Sequence, residues 1–181
     1  MDNKKKSMLE LQRITCEEFK KAEKIPLVVI LDDVRSLNNI GSMFRTADAF
    51  VVEHIYLCGI TATPPHPDIH KTALGAEDSV SWTHYDDVMQ CVNDLKCKGY
   101  KICSIEQVHN SISLPQFTIN PCEHYAVVLG NEVKGVKQEA IDVSDYCIEL
   151  PQCGTKHSLN VSITAGLVMW DFFKAFKNLN R

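Results

Sequence analysis

Apolar residues in this chain come in two patterns: short unbroken runs, and stretches where they recur every three or four positions. The runs Leu27-Val28-Val29-Ile30-Leu31, His54-Ile55-Tyr56-Leu57-Cys58, 100–105, His124-Tyr125-Ala126-Val127-Val128-Leu129 and Cys147-Ile148-Glu149-Leu150 are bounded by polar or turn residues. That is the pattern of strands buried on both faces. Trp82 and its neighbours suit a further short strand. Between the runs, Asn39 caps a predicted helix through Met43, Phe44 and Ala47. Residues 86–98 carry Val88, Cys91, Val92 and Leu95 at helical spacing and end at Gly99. A short helix is predicted over 136–141, and a long, mostly buried one over 158–176 with Leu159, Ile163, Leu167, Trp170 and Phe173 on its stripe.

Ahead of the first strand, Met8, Leu11, Ile14, Thr15 or Cys16, Phe19 and Ala22 form a helical stripe that predicts an amphipathic helix over 8–22, packed on the body or on a partner. Residues 59–75 hold three prolines and two histidines and read as a long, functional loop. Strands alternating with helices give an α/β fold with a mainly parallel sheet flanked by helices. The length suits one core, with 1–25 as an N-terminal helical extension and 26–181 as the domain.

Composition narrows the function classes. The 181 residues are 45% hydrophobic and 23% charged, and the formal net charge is -4. A nucleic-acid partner must therefore meet a local basic patch and not the whole surface. Lys4, Lys5, Lys6, Lys20, Lys21 and Lys24 supply positive charge near the start, and Arg35, Arg45, Lys71, Lys134, Lys137 and Lys156 fall in or beside the polar loops. No long apolar run or signal-peptide core is present, so a cytoplasmic protein without a membrane partner is expected. The eight cysteines lie mostly in apolar runs and form no C-x-x-C pair, which predicts reduced, mostly buried thiols and no zinc. His66, His70 and His157 read as loop polarity, with no metal.

Three loops carry the chemistry. Residues 39–48, 129–135 and 151–160 each follow an apolar run, which puts them at the carboxyl ends of strands, where open α/β sheets build ligand sites. There is no G-x-G, no P-loop and no G-x-S-x-G elbow, so dehydrogenase, kinase and hydrolase readings lack support. The loops offer instead Arg45, Glu132, Asn39, Asn160 and Ser158. Taken singly, Arg45 is an ordinary surface cation and Ser158 fits a helix N-cap equally well.

In order, the loops read N-x-G-x-x-x-R-T-A-D, L-G-N-E-x-x-G and L-P-x-x-G-x-x-x-S-L-N-V-S. Over about residues 26–176 the chain thereby resembles the SpoU (TrmH-type) RNA 2′-O-ribose methyltransferases of the SPOUT superfamily. The resemblance implies a C-terminal deep trefoil knot, S-adenosyl-L-methionine as cofactor, and a homodimer with its sites at the subunit interface. It implies Arg45, Asn39, Glu132, Ser158 and Asn160 as catalytic or supporting residues. Leu129, Gly130, Leu150, Ser158 and Leu159 would line the cofactor pocket, with Ser104 or Ile105 from the preceding strand. The implied reaction is methylation of a ribose 2′-hydroxyl in RNA. The short segment 1–25 points to transfer RNA over ribosomal RNA, and motif 1 to a guanosine. Two other readings stay open: a knotted module that binds RNA or cofactor without efficient turnover, and a small-molecule α/β enzyme.

Overall fold

The computed structural model describes residues 3–7 and 10–178. In chain order the elements are α1 (Cys16–Lys21), β1 (Ile25–Asp32), α2 (Leu37–Ala49), β2 (Val52–Cys58), α3 (Pro67–Ala73), α4 (Ala76–Ser79) and β3 (Trp82–Tyr85). They continue with α5 (Val88–Cys97), β4 (Lys101–Ile105), β5 (Ile112–Ser113), a 3-10 turn (Leu114–Gln116), β6 (Tyr125–Leu129), α6 (Gln138–Asp142), β7 (Tyr146–Glu149) and α7 (Val161–Phe176). The strands form one sheet in the order β3-β2-β1-β6-β4-β7-β5, with parallel pairing throughout.

The central strands are apolar along their whole length because helices cover both faces. Alternation along β1 sends Leu27, Val29 and Leu31 to one side, against Met43 and Phe44 of α2 and Val168, Met169 and Phe172 of α7. It sends Val28 and Ile30 to the other, against Val88, Cys91, Val92 and Leu95 of α5. Each such side chain, when fully buried, contributes about 1.5–3 kcal/mol.

Several expectations change. The N-terminal helix is short. Thr15 caps it, its side chain accepting from the Glu18 N–H while the Glu18 carboxylate takes the Thr15 N–H, so the helix begins at Cys16. Leu11 and Ile14 are exposed, Met8 lies outside the described residues, and Phe19 alone of the stripe is buried, within the main core. The 59–75 loop is helical over Pro67–Ala73, with Pro67 in the first turn and His66 Nδ1 accepting from the Asp68 N–H. Proline is compatible with a helix start, where its missing N–H costs nothing.

The two motif helices are capped one position-set away from the expected residues. Ser36, not Asn39, caps α2, and Asn160, not Ser158, caps α7 through its Oδ1, which accepts from the Ser162 and Ile163 N–H groups. Only half of α7 is buried: Ala165, Val168, Met169 and Phe172 face the core, whereas Ile163, Leu167 and Trp170 are 56%, 44% and 42% exposed. The cysteines are less buried than expected: Cys58, Cys91 and Cys103 are buried, Cys16 and Cys147 partly so, and Cys97, Cys122 and Cys153, which lie in or beside polar turns, are exposed. Among the described residues no helix is long and apolar enough to cross a membrane, and no group of three or more His, Cys, Asp or Glu could hold a metal.

Candidate active site

A cavity of about 580 Å³ opens at the carboxyl ends of the adjacent strands β4, β6 and β7. Its wall takes Ile105, Glu106 and Gln107 from the end of β4, 129–135 from the end of β6, and Ile148, Glu149 and Leu150 from β7. Gln152, His157, Ser158, Leu159, Asn160, Val161 and Thr164 close it from the segment leading into α7. Five of the expected cofactor residues, Leu129, Gly130, Leu150, Ser158 and Leu159, thus meet in one place.

The wall formed by 130–136 is a tight hairpin. Asn131 and Gly135 exchange N–H to carbonyl bonds of 3.0 and 2.9 Å, and the Asn131 side chain accepts from the Val133 and Lys134 N–H groups. A Cβ on Gly130 would overlap the Gly135 carbonyl carbon and the Val136 nitrogen. Gly135 takes a left-handed φ of +71°, and a side chain there would meet the Glu106 carboxylate. Both glycines are therefore required by the fold of the turn. Glu106 Oε2 accepts from the Val136 N–H at 3.1 Å and pins the hairpin to β4.

Hydrogen bonds tie the three motifs together. The Asn160 amide donates to Asn39 Oδ1 at 3.2 Å, and the Asn39 amide donates to Glu132 Oε1 at 3.1 Å. The two Glu132 oxygens also accept from the Arg35 and Ser36 N–H groups at 3.1 and 3.0 Å. Glu132 thus sits at the N-terminus of α2, where free N–H groups and the helix dipole favour an anion. Burial pushes its carboxyl upward, but the hydrogen bonds from Arg35, Ser36 and Asn39 outweigh that and hold it below the ordinary glutamate range.

Arg45 stands apart from this relay. It is exposed on α2, outside the cavity wall of its own chain, and its side chain makes no hydrogen bond or ion pair among the described residues. Its neighbours face α7: Thr46 lies opposite Gly166, and Phe50 packs against Trp170 in a tilted pair with ring centroids 5.5 Å apart. Ser104 is also off the cavity. It is fully buried with its hydroxyl bonded to Ser144 at 2.8 Å, because strand alternation turns it to the opposite face from Ile105, which does line the wall.

Four residues that build or fasten the wall received no site role from the sequence alone. Glu106 and Gln107 are a polar pair directly after an apolar strand, and that position was their signal; the Gln107 amide donates to the His157 carbonyl at 2.9 Å and ties the α7 approach to β4. Asn131 donates to the Asp33 carbonyl at 2.8 Å. Lys137 Nζ bridges Asp32 Oδ1 and Asp33 Oδ2 at 3.2 and 3.0 Å, fastening the hairpin to the end of β1. The histidines have local tasks: His66 caps α3, and His70 pairs with Glu77 at 2.5 Å.

Comparison with known proteins places this geometry. The sequence model described as "SpoU rRNA Methylase family" matches residues 26–170. A Staphylococcus aureus protein named putative TrmH family tRNA/rRNA methyltransferase is 27% identical over 158 residues, 87% of this chain and 62% of that protein. The chain thus spans about three-fifths of the length of such relatives. Among solved structures, the A. aeolicus TrmH/SpoU tRNA modifying enzyme superposes with a TM-score of 0.79 at 21% identity, over 91% of this chain and 84% of that one. An AdoMet-bound rRNA methyltransferase from Sinorhizobium meliloti gives 0.76 at 21% identity, over 85% and 59%. At these identities the likeness is one of fold.

Proposed function

The chain belongs to the SpoU rRNA Methylase family, and from that premise we propose that it transfers the methyl group of S-adenosyl-L-methionine to a ribose 2′-hydroxyl of RNA, with transfer RNA as the substrate class. The observation that carries this reading is the convergence of the β4, β6 and β7 ends and the α7 approach on one cavity. Its volume lies within the range of small-molecule sites, roughly 300–1,000 Å³. Its lining fits the cofactor: Glu106, Glu132 and Glu149 give the wall a negative balance against Lys134, which suits a ligand bearing a sulfonium and an ammonium. Gly130 lets backbone approach closely, and the hydroxyls of Ser158 and Thr164 add polar partners. When bound, S-adenosyl-L-methionine supplies an electrophilic methyl group.

The residues of the chain have the remaining work: orienting the ribose and removing its proton. As the carbon–sulfur bond breaks and the new carbon–oxygen bond forms, the 2′-oxygen gives up its proton. An arginine deprotonates only at high cost, its pKa being above about 12. In our reading Arg45 therefore stays cationic, grips the phosphate next to the target ribose with both guanidinium arms and aligns the hydroxyl, while a phosphate oxygen or water takes the proton. Orientation of this kind contributes roughly 7–11 kcal/mol in well-aligned systems. The Asn160–Asn39–Glu132 relay positions α2, and Arg45 with it, relative to the cavity wall.

In this reading Arg45 serves the cavity of a second copy. Ile163, Leu167 and Trp170 leave an apolar face of α7 uncovered beside Arg45, and a homodimer packed through that face brings each arginine toward its partner's site. The insertion of β6 between β1 and β4, and of β7 between β4 and β5, supports a C-terminal part threaded as a trefoil knot. The test is transfer of tritium from labelled cofactor into bulk transfer RNA and ribosomal RNA. Label in transfer RNA supports the proposal, label in ribosomal RNA alone redirects the substrate, and no label despite measurable cofactor binding favours a binding module.

A further inference from the structure

Behind the hairpin lies a second cavity, of about 630 Å³, which shares Asn131, Val133, Lys134 and Gly135 with the first. It opens at the carboxyl end of β1. Its depths hold Asp32, 1% exposed, and Asp33; its remaining wall includes Arg35, Ile60 and Lys137.

Two features of this cavity have no structural task, and the fold accounts for a third only in part. First, the Arg35 and Lys134 side chains make no hydrogen bond or ion pair among the described residues, and with Lys137 they set three cations against two carboxylates in a chain of net charge -4. Second, Val133 and Ile60 are 83% and 67% exposed, two aliphatic side chains held out beside those cations. Third, Asp32 Oδ1 is buried and meets only the charge of Lys137 Nζ, 3.2 Å away in the bridge to β1, while the Lys137 N–H goes to Oδ2.

We infer that this second cavity is a subsite for one nucleotide of the RNA substrate, adjoining the nucleotide whose ribose is methylated. The inference rests on the proposed RNA methyltransferase activity. Arg35 and Lys134 take the phosphate, Ile60 and Val133 flank the planar base, and the carboxylates of Asp33 and Asp32 accept from N–H groups on the base edge. The shared hairpin makes the distance between the two sites short, so filling the second cavity fixes the strand that passes the first. Phosphate contacts position a strand and edge contacts select among bases, and the cavity holds groups for both.

Arg35 and Ile60 line only the second cavity, so they separate the two sites. Their backbone N–H groups bond to Glu132 and Asp33 whatever the side chain, so both variants should fold. Binding of bulk transfer RNA to the cofactor-loaded protein is measured by fluorescence anisotropy across salt concentrations, with cofactor affinity by calorimetry. Arg35→Ala should weaken RNA binding about fivefold to tenfold and lower the salt slope by about 0.7–0.9, the value of one lost phosphate contact. Ile60→Ser should weaken binding about as much with the slope unchanged. Both should keep cofactor affinity within about twofold, which separates loss of the subsite from general unfolding. If the wild-type protein binds RNA and neither variant changes affinity or slope, the subsite is wrong and the methyltransferase reading survives. If the wild-type protein neither binds nor methylates RNA, both fall.

Discussion

Three residues show how close the proposed site sits to the limits of its geometry. Gly130 has no room for a methyl group, so Gly130→Ala forces the hairpin apart at a cost of about 1–3 kcal/mol; calorimetry should show cofactor affinity reduced at least tenfold. Glu132 is held below its ordinary range by donors at the start of α2. A depressed carboxyl stabilises the fold above its unfolded pKa of about 4.3, and that stability is lost as pH falls through the lower folded value. Glu132→Gln should therefore be less stable than wild type at pH 6–8, by no more than about 1 kcal/mol given the exposure of the group, and the two stability curves should converge as pH falls below the lowered folded value. Equal melting across the whole range would remove the role of Glu132 in holding the start of α2. For Arg45, a phosphate clamp predicts that Arg45→Lys lowers kcat about 100-fold while RNA affinity stays within a few-fold, because lysine cannot grip bidentately. Near-full turnover in that variant would contradict the clamp.

At the scale of elements, the strands were legible because burial on both faces writes an apolar run into the sequence, and β1, β2, β4, β6 and β7 all appear within a few residues of their expected positions. The helices were legible in kind but less so in their ends. Asn39 and Asn160 each sit near a helix start, and sequence does not say whether such an asparagine caps its own helix or reaches to another motif; Asn160 does both. α7 shows a second limit. Its stripe of Leu159, Ile163, Leu167, Trp170 and Phe173 reads as core, yet of these Phe173 alone packs on the core, partly buried, and the chain buries Ala165, Val168, Met169 and Phe172 instead, since a helix apolar all round does not reveal which face meets its own sheet. That surplus face predicts self-association. Trp170→Asp with Leu167→Asp should turn a dimer into a monomer in sedimentation velocity while far-ultraviolet circular dichroism is kept. A wild-type monomer at micromolar concentration would contradict the shared site.

For the molecule as a whole, the site is a product of topology. Loops at 106–107, 129–135 and 150–160 converge because their strands are neighbours in the sheet, and the strand order that makes β4, β6 and β7 adjacent is invisible in local periodicity. The motifs gave the members of the relay; the tasks of Glu106, Gln107, Asn131 and Lys137 emerge only in the fold, since each acts across loops far apart in the chain. α1 is likewise part of the body, because Phe19 joins the main core. The most direct test of the account is incubation of the protein with trideuteromethyl-labelled cofactor and transfer RNA, followed by nuclease digestion and mass spectrometry of the nucleosides. The account predicts the label on the ribose of a 2′-O-methylnucleoside, and its loss in Arg45→Ala. Label on a base, or none in any RNA with cofactor bound, would contradict it.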